Sequence, residues 1–363
     1  MPIREKSFRI GCGRYLQEPG ILRSIGSEVL RLGKAPLVVG GKTALKLTGS
    51  IIEQSISAVC PRYRIEVHIG TCNEEDARAF ADIAKSEHFD VIVGVGGGVI
   101  MDFAKMIAHF ASLPIINVPT SCATCAAYTP LSVMYTGEGR TVGSFHHEIE
   151  VNAVLADTAV ISTQPARLLL AGVFDAMAKY LEIKHRYSGE SAEYPLGLDY
   201  AYVLSKRSFE VLSDKADICL SDMKDGTVSD AVEEVVFTTI AATGVISGIA
   251  RGSNQCALAH KFYEMTRVLF NEGSKPYLHG EIVGVGLLLQ NYYNNETERN
   301  TELLRLMKKH SMPYRVSDLG IERTEESFLE YFNRIKNSSA IDKENRDECE
   351  RLLLALRYLW DLK

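Results

Sequence analysis

Two groups of residues in this 363-residue chain have the types and spacing to do chemistry. The first is the run Val91-Ile-Val-Gly-Val-Gly-Gly-Gly-Val-Ile-Met-Asp102, a β-branched strand that breaks into glycines and passes directly into a helix. Gly94, Gly96, Gly97 and Gly98 would let the backbone approach a pyrophosphate closely and take positive φ. The helix start offers free N–H groups and the positive end of its dipole to an anion. Asp102 falls in the first turns of that helix, where an acid is electrostatically favourable, and is expected with Gly96, Gly97 and Gly98 among the cofactor-binding residues. A glycine turn that only packs strand against helix would read the same way, and the run is not the G-x-G-x-x-G fingerprint. The second group is Asp175, His260 and His279, each in or beside an apolar helical stretch. Singly, each fits a satisfied core residue. Together they could converge as Asp/His/His with one coordination position left for substrate, the layout of a catalytic zinc or iron site.

The elements that must position these residues follow from periodicity. Strand-like runs at 35–40, 64–69, 91–95, 114–118 and 154–161 alternate with helical patterns opening at 43–47 and covering 74–87 and 100–111. Such alternation predicts a doubly wound parallel sheet. From Pro165 onward the patterns are long and helical, at 165–186, 194–213, 227–248, 254–270, 280–294 and 300–310. The expected organisation is an α/β nucleotide domain over 1–163 and an all-helical, metal-binding domain over 164–363, with a site in the cleft between them.

Composition narrows the function. The net charge of −6 is spread along the chain without a basic stripe, so nucleic acid is not an expected partner. No apolar run approaches the ~20 residues of a membrane span, and Met1 to Lys6 lacks an apolar leader. A cytoplasmic protein without a membrane partner is expected. Eight scattered cysteines argue against a disulfide framework. Cys122 and Cys125 form a lone C-x-x-C, which reads as small residues in a tight loop.

Four segments, GVGGGVIMDFAK (94–105), VPTSCATCAAYTPLSVMYT (118–136), PARLLLAGVFDAMAKYLE (165–182) and LHGEIVGVG (278–286), resemble the iron-containing, group III alcohol dehydrogenase superfamily in its glycerol dehydrogenase branch. That resemblance implies a dehydroquinate synthase-like fold. It implies NAD or NADP as cofactor and one divalent metal held by Asp175, His260 and His279 without a fourth protein ligand. Lys179 stands where the strictly iron-dependent branch carries a histidine, which favours zinc over iron. Thr120, Thr129, Leu131 and Tyr135 are expected to line the cofactor side.

The departures are informative. Glycerol dehydrogenases carry a substrate-contacting Asp in a Ser-Thr-Asp run, and here Ala123-Thr124-Cys125 replaces it. The pattern looks more like the bacterial hydroxycarboxylate dehydrogenase, and loss of a pocket acid suits a substrate that bears its own carboxylate. Tyr263 replaces a second histidine after His260, and Val99 and Ile100 replace Lys-Thr. At the end of the 35–40 strand, Gly41 and Lys42 stand where the family has a ribose-binding acid, which predicts that NADP is accepted. The expected function is hydride transfer between NAD(P) and a small 2-hydroxy acid (or its 2-oxo acid) or a polyol, with Cys125 in the catalytic pocket. The alternatives are glycerol dehydrogenase proper and a catalytically inactive nucleotide-binding homologue. The partner is a small-molecule substrate, and the expected assembly is a homo-oligomer.

Overall fold

β-branched runs closed by glycine or proline make strands, and alanine-rich stretches with three- and four-residue apolar spacing make the helices between them. The computed structural model describes residues 10–137, 139–187 and 196–363. The chain passes through β1 Tyr15–Glu18, α1 Ile25–Leu32, β2 Pro36–Gly41, α2 Lys42–Ser57, β3 Arg64–His68, α3 Glu74–Ser86, β4 Val91–Gly96, α4 Gly98–Ala111 and β5 Ile115–Pro119. It continues through β6 Leu131–Tyr135, β7 Thr141–His146, β8 Ala153–Asp157, α5 Thr158–Ile161, α6 Ala166–Tyr187, α7 Leu196–Lys224, α8 Asp230–Phe237 and α9 Thr243–Ala250. The last elements are α10 Leu258–Leu269, α11 Asn271–Ser274, α12 His279–Tyr293, α13 Glu298–Lys309, α14 Glu325–Lys336 and α15 Arg346–Asp361.

Six parallel strands form one sheet in the order β1-β8-β5-β4-β2-β3. From β2 the chain moves outward to β3, and from β4 it moves the other way to β5. The winding therefore reverses between β2 and β4, and open parallel sheets bind ligands beyond the carboxyl ends of strands at such a reversal. Val38, Val91, Val93, Ile116 and Leu155 fill the sheet core without exposure. β6 and β7 form a separate antiparallel hairpin.

Two compact units result, one of residues 10–165 and 218–245, the other of 166–217 and 246–363. The expected division at residue 163 is therefore too simple, because the chain returns to the sheet unit at 218–245. The return has a physical cause in α8. Glu233 accepts hydrogen bonds from Thr158 Oγ1 (2.5 Å) and Gln17 Nε2 (2.6 Å), and Phe237 sets its edge on Tyr15. The expected strand over 154–161 stops at Asp157, whose carboxylate accepts from Ala159 and Val160 N–H and starts α5. The expected helix over 227–248 is broken by a π turn at Thr238–Ala242, where Thr243 Oγ1 donates to Thr238 O at 2.7 Å.

The helix expected over 194–213 runs on to Lys224, and its first two positions lie outside the described residues. So does the segment Met1 to Lys6. Contrary to the sequence reading, Asp230–Ala250 is long and apolar enough to cross a membrane by length and composition, with mean hydropathy 1.4. Most of that stretch is buried, with Val232 and Val235 wholly so. Its apolar character has a use inside the fold.

Candidate metal centre

Three helices of the second unit come unusually close, and glycines in LHGEIVGVG permit it. A Cβ on Gly280 would fall 1.8 Å from Ala171 O of α6, and one on Gly286 would fall 2.7 Å from Ala259 O of α10. Gly284 lies against the Phe174 ring, where a Cβ would sit at 3.0 Å. α12 thus packs backbone to backbone with both neighbours. Asp175 on α6, His260 on α10 and His279 at the first position of α12 meet as a consequence.

Their donor atoms all lie within 4.8 Å of one another. His260 Nε2 and His279 Nε2 are each 3.3 Å from Asp175 Oδ1. Despite these short separations Oδ1 has no hydrogen-bond partner. A buried carboxylate oxygen without a hydrogen-bond donor is costly, and the arrangement suits a cation instead. Two donors each about 2.0–2.1 Å from one tetrahedral cation stand about 3.3 Å apart. One carboxylate oxygen and two imidazole nitrogens are also the donor chemistry of a zinc-type site with an open position. The residues present therefore fit the metal.

The surroundings favour positive charge at this point. Burial pushes the Asp175 carboxyl up, but the facing His279 and His260 imidazoles, with Lys179, hold it well below the usual range. Burial pushes His260 down, and the Glu182 carboxylate holds it well above its ordinary value. Glu182 is wholly buried. Its Oε2 lies 2.5 Å from His260 Nδ1, and its Oε1 accepts from Ala257 N–H (2.7 Å) and His260 N–H (2.9 Å) at the start of α10. At α12, Glu281 accepts from Leu278 N–H at 2.7 Å and is bound through both oxygens by Arg167 of α6 at 2.6 and 2.5 Å. Tyr263, the replacement for the family histidine, packs edge-on against His279 with ring centroids 4.2 Å apart.

In the sheet unit the crevice beyond β2 and β4 gathers the glycine loop with Gly41 and Lys42. Gly40 pairs with Val95, so the two strands end side by side. Gly97 immediately precedes α4, a fourteen-residue helix, and Gly98 begins it. The first turn leaves N–H groups with no partner inside the helix. The expected positive φ is absent from Gly94, Gly96, Gly97 and Gly98. Close packing explains two of them instead. A Cβ on Gly94 would meet Ala104 at 2.6 Å, and one on Gly96 would meet Ile100 at 2.9 Å. Gly41 caps α2 at φ −71°, and Lys42 begins it, exposed.

Asp102 is buried rather than presented to the crevice. Its Oδ2 accepts from Val133 N–H at 3.1 Å, and Lys105 Nζ forms an ion pair with its Oδ1 at 3.0 Å. Burial raises its carboxyl against the pull of Lys105 and the Val133 amide. Asp102 thus pins the hairpin to α4, helped by Ser132 Oγ donating to its carbonyl. Lys105 Nζ also donates to the carbonyls of Ala126, Thr129 and Leu131. Thr120 N–H donates to Gly96 O at 2.9 Å. Thr129 N–H donates to the carbonyl of half-buried Cys125. Tyr135 N–H donates to Cys72 O at 2.9 Å. Neither Cys122 nor Cys125 is in a disulfide, and Cys122 Sγ accepts from Gln164 Nε2.

The sequence reading missed Glu182, Lys105 and the Arg167–Glu281 pair. A signal existed for the first, since Asp175, Lys179 and Glu182 recur at i, i+4 and i+7 in an otherwise apolar helix and so share one face.

Residues 12–158 match the sequence model for iron-containing alcohol dehydrogenases. The chain is 28% identical over 316 residues to glycerol dehydrogenase of Thermotoga maritima, covering 85% of this chain and 84% of that one. It is 29% identical over 277 residues to hydroxycarboxylate dehydrogenase A of Escherichia coli, covering 76% and 71%. The fold matches the crystal structure of glycerol dehydrogenase from Schizosaccharomyces pombe with a TM-score of 0.77 at 22% identity, over 96% of this chain and 89% of that one.

Proposed function

We infer, for a chain that belongs to the iron-containing alcohol dehydrogenase family and is a metal-containing dehydrogenase, that its reaction is hydride transfer between NAD(P) and a small 2-hydroxy acid or its 2-oxo acid. The observation that carries the reading is the Asp175, His260 and His279 donor set around one carboxylate oxygen that accepts no hydrogen bond. These residues would hold a divalent cation, with zinc favoured over iron because Lys179 rather than a third imidazole follows Asp175 on its helix face. Such a cation supplies Lewis acidity to a hydroxyl or carbonyl oxygen.

The chain's own groups do the rest. Gly96, Gly97 and Gly98 bring backbone and the α4 start to the pyrophosphate. Gly41 leaves room at the adenosine ribose, and Lys42 offers a point charge to a 2′-phosphate. Thr120, Thr129, Leu131 and Tyr135 support the cofactor from the loop and hairpin that Lys105 organises, with Asp102 acting from behind. Cys125 in place of a pocket acid removes repulsion toward a substrate carboxylate. The hydroxycarboxylate relative supports this choice. A second reading, polyol oxidation, draws on the glycerol dehydrogenase relative, which covers more of the chain.

The test is a comparison of kcat/KM on zinc-loaded protein for 2-oxobutyrate, 2-oxoglutarate, glycerol and dihydroxyacetone, each with NADH or NADPH (the oxidised cofactors for glycerol). Preference for the 2-oxo acids is expected, and Cys125→Asp should move it toward polyols. A clear preference for glycerol overturns the reading. Asp175→Ala, His260→Ala and His279→Ala should each lose metal and activity, and stoichiometric metal in all three refutes the donor set.

A further inference from the structure

We propose that Glu182 is a positioning residue for the cation site, fixing His260 with its proton on Nδ1 so that the Nε2 lone pair faces Asp175 and His279. The inference rests on the reading that these three residues hold the cation. Glu182 lies two turns after Asp175 on α6 and has no exposed surface. A carboxylate only accepts hydrogen bonds, so the 2.5 Å contact places a hydrogen on His260 Nδ1. A histidine that binds a metal does so as the neutral imidazole with one N–H, and with that hydrogen on Nδ1 the Nε2 is left as the lone-pair donor. The second oxygen of Glu182 accepts from Ala257 and His260 N–H, which ties the imidazole to the start of its own helix. One side chain therefore sets the tautomer, the ring orientation and the helix register. Carboxylates that hold ligand histidines through the far nitrogen commonly tune metal affinity in this way.

A competing arrangement exists on the same residues. Glu182, Cys256 and His260 also offer donor atoms within 4.8 Å of one another, and there Nδ1 would be the ligand. The two arrangements demand opposite tautomers of His260.

Glu182→Gln separates them from a merely structural role. Glutamine keeps the volume and an oxygen for the Ala257 and His260 amides, but presents an NH2 to Nδ1. His260 must then accept at Nδ1 and carry its proton on Nε2, inside the cation site. Zinc affinity, measured by chelator competition, should fall roughly 10–100-fold, while the metal-free melting temperature stays near wild type. Glu182→Asp, which restores an acceptor on a shorter arm, should lie between. In zinc-loaded wild type, nitrogen-15 NMR of the histidines should find the His260 proton on Nδ1, and this reading stands even if Glu182→Gln does not fold.

Wild-type zinc affinity in Glu182→Gln, together with loss of zinc in Asp175→Asn, overturns the role of Glu182 and leaves the donor set standing. Wild-type affinity in Asp175→Asn overturns the donor set, and this inference with it. Weakened zinc binding in Cys256→Ser, or a His260 proton on Nε2 in the loaded protein, places the cation in the other cluster and overturns the proposal.

Discussion

Gly280→Ala is the sharpest test of how the fold builds the site. The new Cβ would lie 1.8 Å from Ala171 O, 2.4 Å from its carbonyl carbon and 2.8 Å from its Cα. All three are backbone atoms, so no side chain can swing aside. Cβ atoms essentially never approach closer than 3.0 Å, so α12 must move from α6 by at least about 1.2 Å. His279 adjoins the mutated position and would move with α12, whereas metal–ligand distances tolerate about 0.2 Å. Overpacking of this kind costs typically 1–3 kcal/mol in stability. Zinc binding should suffer more, because one of three ligands is displaced by several times the tolerance. Thermal melts of the metal-free protein and zinc titrations of the folded variant separate the two effects. Wild-type zinc affinity in Gly280→Ala would refute the argument that this helix contact sets the position of His279.

Three further outcomes are expected. Gly41→Asp should penalise NADPH by about 1–3 kcal/mol while sparing NADH, the scale of one charged contact. The backbone accepts the change, since a Cβ there meets only Ile100 at 3.5 Å, and unchanged cofactor preference in steady-state kinetics would refute the reading of Lys42. His185 is lowered to about 4 by burial, with Arg186 and Arg351 beside it. Its folded value lies below its unfolded one, so its contribution is complete above pH 6.5 and is lost as pH falls toward 4, up to about 3 kcal/mol. Melting temperatures of wild type and His185→Phe across that window should diverge in slope, and parallel curves would refute the assignment. Arg167→Met leaves the buried Glu281 carboxylate without its cation at the start of α12. It should lower stability by about 1–3 kcal/mol and weaken zinc binding, both read by the same melts and titrations.

Much of the fold was legible because local patterns carried it. The β4 run ends in glycines and passes straight into α4, as expected, and Asp175, His260 and His279, the candidate metal-site residues, stand out as polar groups in apolar helices. What stayed hidden depends on distant partners. Nothing in the 227–248 pattern marks Glu233 as the partner of Gln17, 216 positions away. Asp102 invites a ligand role by its place after the glycines, and only the folded hairpin reveals that Val133 N–H and Lys105 use its carboxylate. The β6–β7 hairpin was missed because β7 is largely exposed and lacks an apolar alternation. Gly280, Gly284 and Gly286 were read only as family resemblance, since a glycine's reason is the backbone it touches.

The return of the chain to the sheet unit has a consequence for biosynthesis. The sheet's last strand, β8, is made by residue 157, yet α8 follows only after all of α6 and α7 have been translated. During that interval β1, an edge strand, waits without Phe237 against Tyr15 and without Glu233 against Gln17 and Thr158. Unpaired edges and uncovered aromatic rings are what chaperones and neighbouring chains capture. A nascent chain stalled, or a gene fragment ended, at Pro165 therefore carries a complete parallel sheet with an unguarded flank. Maturation of the sheet unit is in this sense post-dated to the helical insert that interrupts it.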